Sequence, residues 1–178
     1  MYREILAFWF IETAPRNWWV ADSAFDAVIA ERFGRIHAAA AAAELSEWRH
    51  VPDGRLAEII VLDQFSRNLF RGSARAFAQD AMALVLAQEA IAGGHDLMLP
   101  SQQRAFLYMP FLHSESRLIH ERAERLFSAP GLEENYRSEL RHKAIVDRFG
   151  RYPHRNAVLG RESTAEELAF LEQPGSRF

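Results

Sequence analysis

The chain has 178 residues, about half of them hydrophobic and a quarter charged, with a net charge of -3 at neutral pH. This length predicts one domain, residues 1–178, which can bury about 70% of its unfolded surface, and the composition excludes a disordered chain. The lack of cysteine excludes disulfides, thiolate metal sites and a cysteine nucleophile. The acidic net charge argues against a nucleic-acid partner.

The first residues, MYREILAFWFIE, predict a short helix that docks into the body of the protein. Their apolar run is too short to span a membrane, and it lacks the small-residue cleavage site of a signal peptide. We therefore expect a cytoplasmic protein with no membrane partner. A loop from Thr13 to Asp22 follows, in which Trp18 and Trp19 are predicted to pack over a helix pair rather than to form a ligand platform.

Apolar residues with a helical period of 3.6 continue along the chain. Ser23 or Asp22 is predicted to cap the first long helix. The segment RLAEIIVLDQFSRNLF, after Gly54, is predicted to be the most buried helix. Within this apolar run Asp63 lies four residues before Arg67. This spacing predicts a local ion pair, because a buried carboxylate needs a partner.

Capping and breaking residues mark the later helices. Asp80 is predicted to cap one helix, and Pro110 to kink or end another. Gly150 is predicted to end a third helix, and a capping box at Ser163 and Glu166 predicts the last one. No segment alternates between polar and apolar residues with a period of two. The sequence therefore predicts an all-α fold of about eight helices joined by short turns.

Three polar clusters interrupt the apolar pattern. They comprise Gln64, Arg67, Asn68, Arg71 and Arg75; then His113, Ser114 and Glu115; and finally His142, Arg148, Arg151, His154, Arg155, Asn156 and Arg161. Arginine and asparagine side chains that project from helix ends into one cleft would suit a carboxylate or phosphate. Alternatively, such side chains cap helix C-termini, where backbone carbonyls need donors.

The third cluster lies in a local excess of positive charge. Six cationic side chains and a single acid, Asp147, stand between positions 141 and 161. Both an anion site and a structural corner held together by arginine fit this stretch. We predict that the turn from Arg151 to Asn156 folds back against the first cluster. The mutual repulsion then requires a bound anion, or buried acids such as Asp63 and Asp80, between the two groups.

Histidines and a neighbouring acid are the candidate catalytic residues. His142 shares a helix face with apolar side chains, which favours a packed histidine at the edge of the core. His113 and Glu115 are two residues apart, so they can meet one substrate only on a non-helical turn. His120 and Glu124 have helical ligand spacing but no third ligand, which favours solvated surface. We expect no metal site and no cofactor.

Five motifs carry a resemblance to a known family. They are LDQFSRNLFRG (62–72), AFAQD (76–80), PFLHSE (110–115), RFGRYPHRN (148–156) and LGREST (159–164). Together they resemble a bacterial family of uncharacterised proteins, domain-of-unknown-function family nine-two-four, over nearly the whole chain. The resemblance implies a right-handed superhelix of antiparallel helix pairs, similar to tetratricopeptide-repeat proteins. It implies no reaction or catalytic residues. The chain departs from the family pattern at Ala81, where proline is frequent, and at His120, where glutamine is frequent.

The leading functional hypothesis is a helical protein that binds a small anionic molecule in one arginine-rich cleft. Its predicted ligand-binding residues are Gln64, Arg67, Asn68, Arg71, Arg151, His154, Arg155 and Asn156. A second hypothesis is a hydrolase in which His113 or His142 acts as general base beside Glu115. A third is a scaffold that holds a peptide in a superhelical groove. The sequence does not indicate the oligomeric state.

These hypotheses predict different structures. A module that only binds anions predicts converging positive charge without a well-placed base. An enzyme predicts a histidine within hydrogen-bond reach of a carboxylate inside the cleft. A scaffold predicts a long exposed groove in place of a closed pocket.

Overall fold

A computed structural model describes residues 1–176 and contains no strand within them. The helices are α1 Tyr2–Ala7, α2 Ser23–Ala41, α3 Pro52–Ile60, α4 Ser66–Leu69, α5 Asp80–Ala92, α6 Ser101–Leu112, α7 Arg117–Phe127, α8 Glu133–Phe149 and α9 Ala165–Leu171. Wide π turns occupy Phe8–Glu12 and Val61–Phe65, and 3₁₀ turns occupy Pro15–Trp18, Ser46–His50, Ala74–Phe77, Asp96–Met98 and Pro153–Arg155. The predicted all-α fold is confirmed. The superhelical arrangement and the single-domain organisation stay predictions.

The segment that runs from α3 through a π turn into α4 forms the centre of the core. Leu56, Ile60, Leu62 and Phe65 in this segment are fully buried. α3 packs against α1, α5 and α6. Apolar residues on more than one face require neighbours on more than one side, so the sequence pattern correctly predicted the most buried helix. Among residues 1–176, no helix has the length and the apolar content needed to cross a membrane.

The predicted helix ends are partly confirmed. Asp22 caps α2, since its Oδ1 accepts a hydrogen bond from the Ala24 N–H at 2.9 Å. Gly150 ends α8 in the left-handed conformation, with φ of 72°. The capping box before α9 is wrong by one residue, because Thr164 and Glu167 form it. Adjacent polar residues allow either register, and only the backbone geometry selects one.

Two further predictions about helix ends differ from the structure. Asp80 is the first residue of α5 and not its cap, because its carboxylate is bound by arginines from other segments. Pro110 does not end α6, which continues to Leu112, and the alternative of a kink stays a prediction. His113 then keeps helical dihedral angles, with φ of -81° and ψ of -9°. Proline removes one backbone hydrogen bond, and the packing around α6 outweighs that loss.

The segment from residue 142 to residue 171, the C-terminal corner, is held differently from the core. Its apolar cluster contains only Ile145, Val146 and Tyr152 among buried residues. Arg151 Nε donates to Glu167 Oε1 at 2.6 Å. Arg151 is therefore paired with protein, as the structural alternative predicts, and the anion-site alternative for the rest of the stretch stays a prediction.

Candidate functional site

A cleft of about 1370 Å³ lies where the three predicted polar clusters meet. The predicted site residues that line it are Gln64, Arg67, Asn68, Arg71, His113, His142, His154 and Arg155. The first and third clusters thus come together, as the sequence predicted, and the second contributes His113. Whether these residues bind a ligand stays a prediction.

One face of α6 runs along the cleft. The residues of this face are Gln102, Ala105, Phe106, Met109, Leu112 and His113. Their spacing of three and four places them on a single helical stripe, and the helical conformation of His113 extends the stripe by one residue. α6 therefore presents apolar side chains followed by a histidine to the same space.

Asp63 lies in the π turn Val61–Phe65, where the polar pair Asp63 and Gln64 interrupts the apolar run. Its side chain is only 1% exposed. Gln64 Nε2 donates to its Oδ2 at 2.6 Å, and Arg67 Nη1 lies 3.2 Å from its Oδ1. Burial alone would raise the pKa of Asp63, but the opposing effects of Arg67, His113 and Gln64 lower it below its ordinary value. Asp63 is therefore a buried carboxylate that stays ionised.

His113 is hydrogen-bonded to this carboxylate, with its Nδ1 2.8 Å from Asp63 Oδ1. Because an ionised carboxylate only accepts, Nδ1 must carry the proton. Burial lowers the pKa of His113 and Arg67 lowers it further, against the opposite effect of Asp63. The imidazole is therefore neutral at pH 7, and its Nε2 has an unprotonated lone pair. Within residues 1–176 no protein group hydrogen-bonds to that Nε2.

Asp80 lies between two arginines of the cleft. Arg67 donates to both of its oxygens, at 3.0 and 3.1 Å, and Arg155 Nη1 donates to Oδ2 at 3.3 Å. The turn that carries Arg155 thus folds back against α4, and an acid lies between the two cations, as predicted. One carboxylate shared by two guanidinium groups leaves part of their donor capacity unused.

Most of the unused hydrogen-bond donors belong to Arg155. Its side chain stacks on Phe77 and Tyr152, with Cζ 4.5 and 4.7 Å from the ring centroids. Burial and the nearby Arg67 lower its pKa. Nε is buried without an acceptor in the described part of the chain, and Nη2 donates to no group there. A buried cation with unsatisfied donors attracts an oxygen that carries negative charge.

His142 also lines the cleft, but the structure gives it a different environment. Its Nδ1–H donates to the Ser138 carbonyl at 2.8 Å. Burial lowers the pKa of His142 to about 3. Its burial agrees with the predicted histidine at the edge of the core. His113, which has the carboxylate, is the better placed of the two candidate bases.

Several predicted site residues lie outside the cleft. Glu115 binds Arg161, at 2.6 and 2.9 Å, and not His113. The prediction that Glu115 lies beside His113 as its support is wrong, because Glu115 lies in the turn after α6, where its carboxylate is taken by Arg161. Arg151 is bound by Glu167, and Asn156 is buried against Ser163 and Arg161.

The cation-rich end of α4 is also neutralised by protein. Arg71 and Asn68 line the cleft, yet both donate to Asp26 of α2, at distances from 2.7 to 2.9 Å. The positive charge that the sequence displays is therefore largely paired with carboxylates from distant positions. This pairing weakens the argument for a site that binds anions by net charge alone.

Two predictions about exposure are corrected. His120 is fully buried, not solvated, and its Nδ1 lies 2.7 Å from Glu139 Oε1. Both tryptophans line the cleft, but Trp19 is 60% exposed, whereas Trp18 is packed against Trp9 and Phe106 as predicted. The prediction that both are packed is therefore confirmed only for Trp18.

The pair of candidate site residues that sequence reasoning missed is Asp63 with His113. The two residues are 50 positions apart, so no local spacing connects them. The available signal was a carboxylate inside an apolar run, which requires a buried partner. Among residues 1–176 no group of three or more acidic or histidine side chains is arranged to hold a metal ion.

The fold and the cleft define a class of all-helical proteins with a buried aspartate–histidine pair beside arginines. The chain belongs to the family described as "Bacterial protein of unknown function (DUF924)", whose model matches residues 5–175. The resemblance seen in the sequence motifs is thereby confirmed. The chain is similar to the structure of the protein of unknown function ATU0120 from Agrobacterium tumefaciens, with 41% identity, a TM-score of 0.92 and 96% of each chain covered. No curated protein matches the chain.

Proposed function

We propose that the cleft is the active site of a hydrolase that cleaves carboxylic esters or thioesters, with His113 as general base. The observation that carries this proposal is the 2.8 Å hydrogen bond between Asp63 and His113 at the edge of the cleft. A histidine that is held by a buried carboxylate, and kept neutral with its Nε2 available, is poised to take a proton.

The reaction follows from these positions. Nε2 of His113 removes a proton from water while the water oxygen bonds to the carbonyl carbon, and the carbonyl electrons move onto its oxygen. Arg155 donates to this oxyanion through donors that the protein leaves unused. When the tetrahedral intermediate collapses, the bond to the leaving group breaks, and the imidazolium returns its proton to the alcohol or thiol. The other product is a carboxylic acid, which loses its remaining proton to solvent and becomes a carboxylate that Arg155 also suits.

The role of Asp63 is to fix the tautomer of His113. The carboxylate accepts the Nδ1 proton and stabilises the imidazolium that forms during the reaction. An amide in its place can donate to Nδ1 instead, which moves the proton to Nε2 and removes the base. Asp63→Asn is therefore expected to lower kcat strongly even where the variant remains folded.

Release of p-nitrophenol from p-nitrophenyl acetate tests the proposal. We expect His113→Gln to lower kcat by about 100-fold or more, as loss of a general base does. The matched control is His50→Gln, because the side chain of His50 is 75% exposed and bonds only to Glu47 in the described part of the chain. Equal rates for the wild type, His113→Gln and His50→Gln would disprove the proposal.

The pH dependence gives a second test. The base is active when it is unprotonated, and burial lowers the pKa of His113 below the ordinary value of 6.5. kcat/KM should therefore be half-maximal below about pH 6.5 and fall as the solution becomes more acidic. A midpoint above pH 7 would show that another group is the base.

Binding of a small anion without chemistry is a second candidate, which the unsatisfied donors of Arg155 favour. Phosphate or acetate should then raise the melting temperature, because the anion binds only the folded state. The increase should disappear in Arg155→Ala and persist in Arg151→Ala, since Arg151 is bound by Glu167 outside the cleft. Chloride at matched ionic strength is the control, and an equal increase in chloride would contradict specific binding.

A further inference from the structure

The cleft has an apolar section that the proposed reaction does not use. Trp19 is 60% exposed, and it stacks on Phe106 with the ring centroids 5.8 Å apart and an angle of 10° between the planes. Both rings line the cleft, as does Val20, which is also exposed. An exposed indole that forms part of a concave surface presents apolar area to a ligand.

This aromatic section is held in place before any ligand binds. Trp18 Nε1 donates to the Trp9 carbonyl at 2.9 Å, and the Trp18 ring contacts Phe106 edge-on with a centroid distance of 4.9 Å. The 3₁₀ turn Pro15–Trp18 is thus anchored to the core, and the next residue, Trp19, is carried onto α6. A preformed apolar surface binds without an added cost of ordering side chains.

The distance between this section and the base follows from the helix. Phe106 and His113 lie on the same stripe of α6, seven residues apart, which corresponds to about 10 Å along the axis. Met109 and Leu112, each 3% exposed, lie between them in the wall of the cleft. The wall between Trp19 and the polar group of Asp63, His113 and Arg155 is therefore lined by apolar residues of α6.

We propose that the cleft takes an amphiphilic carboxylic ligand, whose carboxyl carbon lies at His113 and Arg155 and whose alkyl chain runs along α6 to Trp19 and Phe106. Only the placement of the reacting end rests on the proposed hydrolase function. With C–C bonds of about 1.5 Å, an acyl chain of about eight carbons spans this distance. The substrate class is then a medium-chain acyl ester or thioester, and the matching product is octanoate.

Binding of octanoate and acetate to the wild-type protein, measured by calorimetry, tests this ligand without any reaction, because neither acid has a bond that the hydrolase cleaves. Burial of a methylene strengthens binding by up to about fourfold, so we expect octanoate to bind at least about 100-fold more tightly than acetate. Trp19→Ala should reduce the difference by about tenfold, and Trp19→Phe should restore most of it. Leu97→Ala is the control, because Leu97 is 74% exposed and lies outside the cleft.

Each outcome of this experiment decides the proposal. Equal affinity for the two acids, or an octanoate preference that Trp19→Ala leaves unchanged, would overturn it. Tight octanoate binding with no turnover of any ester supports the amphiphile site and contradicts the hydrolase. Where esters are hydrolysed, the ratio of kcat/KM for p-nitrophenyl octanoate to that for the acetate should fall in Trp19→Ala. An unchanged ratio would overturn the proposed position of the alkyl chain and leave the hydrolase standing.

Discussion

The core around α3 and α4 and the C-terminal corner are stabilised by opposite means. In the core, fully buried aliphatic and aromatic side chains pack on several sides of one helix. In the corner few apolar residues are buried, and the chain is held by arginines that reach carboxylates elsewhere, such as Arg161 with Glu115. The cleft lies between these two regions and takes residues from both.

This difference shows why clustered arginine is a weak indicator of an anion site. Arg151 and Arg161 are two of the six cations that mark the corner in the sequence, and both are neutralised by glutamates. Arg155 lies between them in the chain but shares one aspartate with Arg67. Arg155 differs from the other two arginines in its incomplete pairing, and not in the number of charges near it in the sequence.

Phe65→Ala should have the largest effect on stability, because it breaks the core. The side chain is fully buried and contacts the rings of Phe8, Trp9 and Phe33. We expect the free energy of unfolding to fall by about 3–5 kcal/mol. Urea denaturation measures the loss. An exposed control, Leu97→Ala, should change stability by about 0.5 kcal/mol or less. A similar loss in both variants would place Phe65 outside the core.

Asp63→Ala should have the next largest effect, because it removes a carboxylate that Arg67, His113 and Gln64 share. Arg67 keeps Asp80 as a partner, so we expect a loss at the low end for a broken buried pair, about 3 kcal/mol. Denaturation of this variant, of Arg67→Ala and of the double variant measures the coupling between the two residues. A loss below about 1 kcal/mol would be that of a surface pair and would contradict the burial of Asp63.

Glu167→Gln, in the C-terminal corner, should have a smaller effect on stability, and this effect should depend on pH. Glu167 is 3% exposed, and the hydrogen bonds from Arg151 lower its pKa to about 2. Because the pKa of Glu167 is lower in the folded state, its ionised carboxylate stabilises the fold at pH values above the unfolded pKa of about 4.5. This stabilisation is lost as the pH falls toward 2. We expect a loss of about 1–2 kcal/mol at pH 7, which disappears as the pH falls through this window.

Its neighbour Glu166 provides the control for this prediction. Glu166 pairs with Arg148, and both side chains are about half exposed or more. Glu166→Gln should therefore cost about 1 kcal/mol or less, and added salt should reduce the loss. If the two glutamines destabilise the protein equally at pH 7, the corner is not held by the Arg151–Glu167 pair.

The helices could be predicted because their signals are local. Glycine at position 150, aspartate at position 22 and the apolar period of α3 each act within a few residues. There is a physical reason why α6 continues past Pro110. Its effect on the backbone is local, but the packing that keeps α6 intact comes from α3, α5 and α7. Tertiary contacts therefore override a local breaker where the helix is buried on several sides.

The candidate site was predicted only as a set of residue types. The three clusters indicated where the cleft would be, but the partners of its charged groups lie far away in the chain. Arg71 binds Asp26 from 45 positions before, and Asp63 binds His113 from 50 positions after. A single sequence contains no spacing rule for such pairs, so His113 was assigned the nearby Glu115 as its support.

The carboxylate shared by Arg67 and Arg155 has a consequence for how the protein is made. Asp80 and Arg155 are 75 positions apart, and Asp80 and Arg67 only 13. During synthesis the chain leaves the ribosome from its N-terminus, so Arg67 meets Asp80 first and holds it alone. Arg155 reaches the aspartate after every helix up to α8 has been made. In a nascent chain the Arg67–Asp80 pair can therefore form early, and the pairing of Asp80 is complete only when the C-terminal corner has closed.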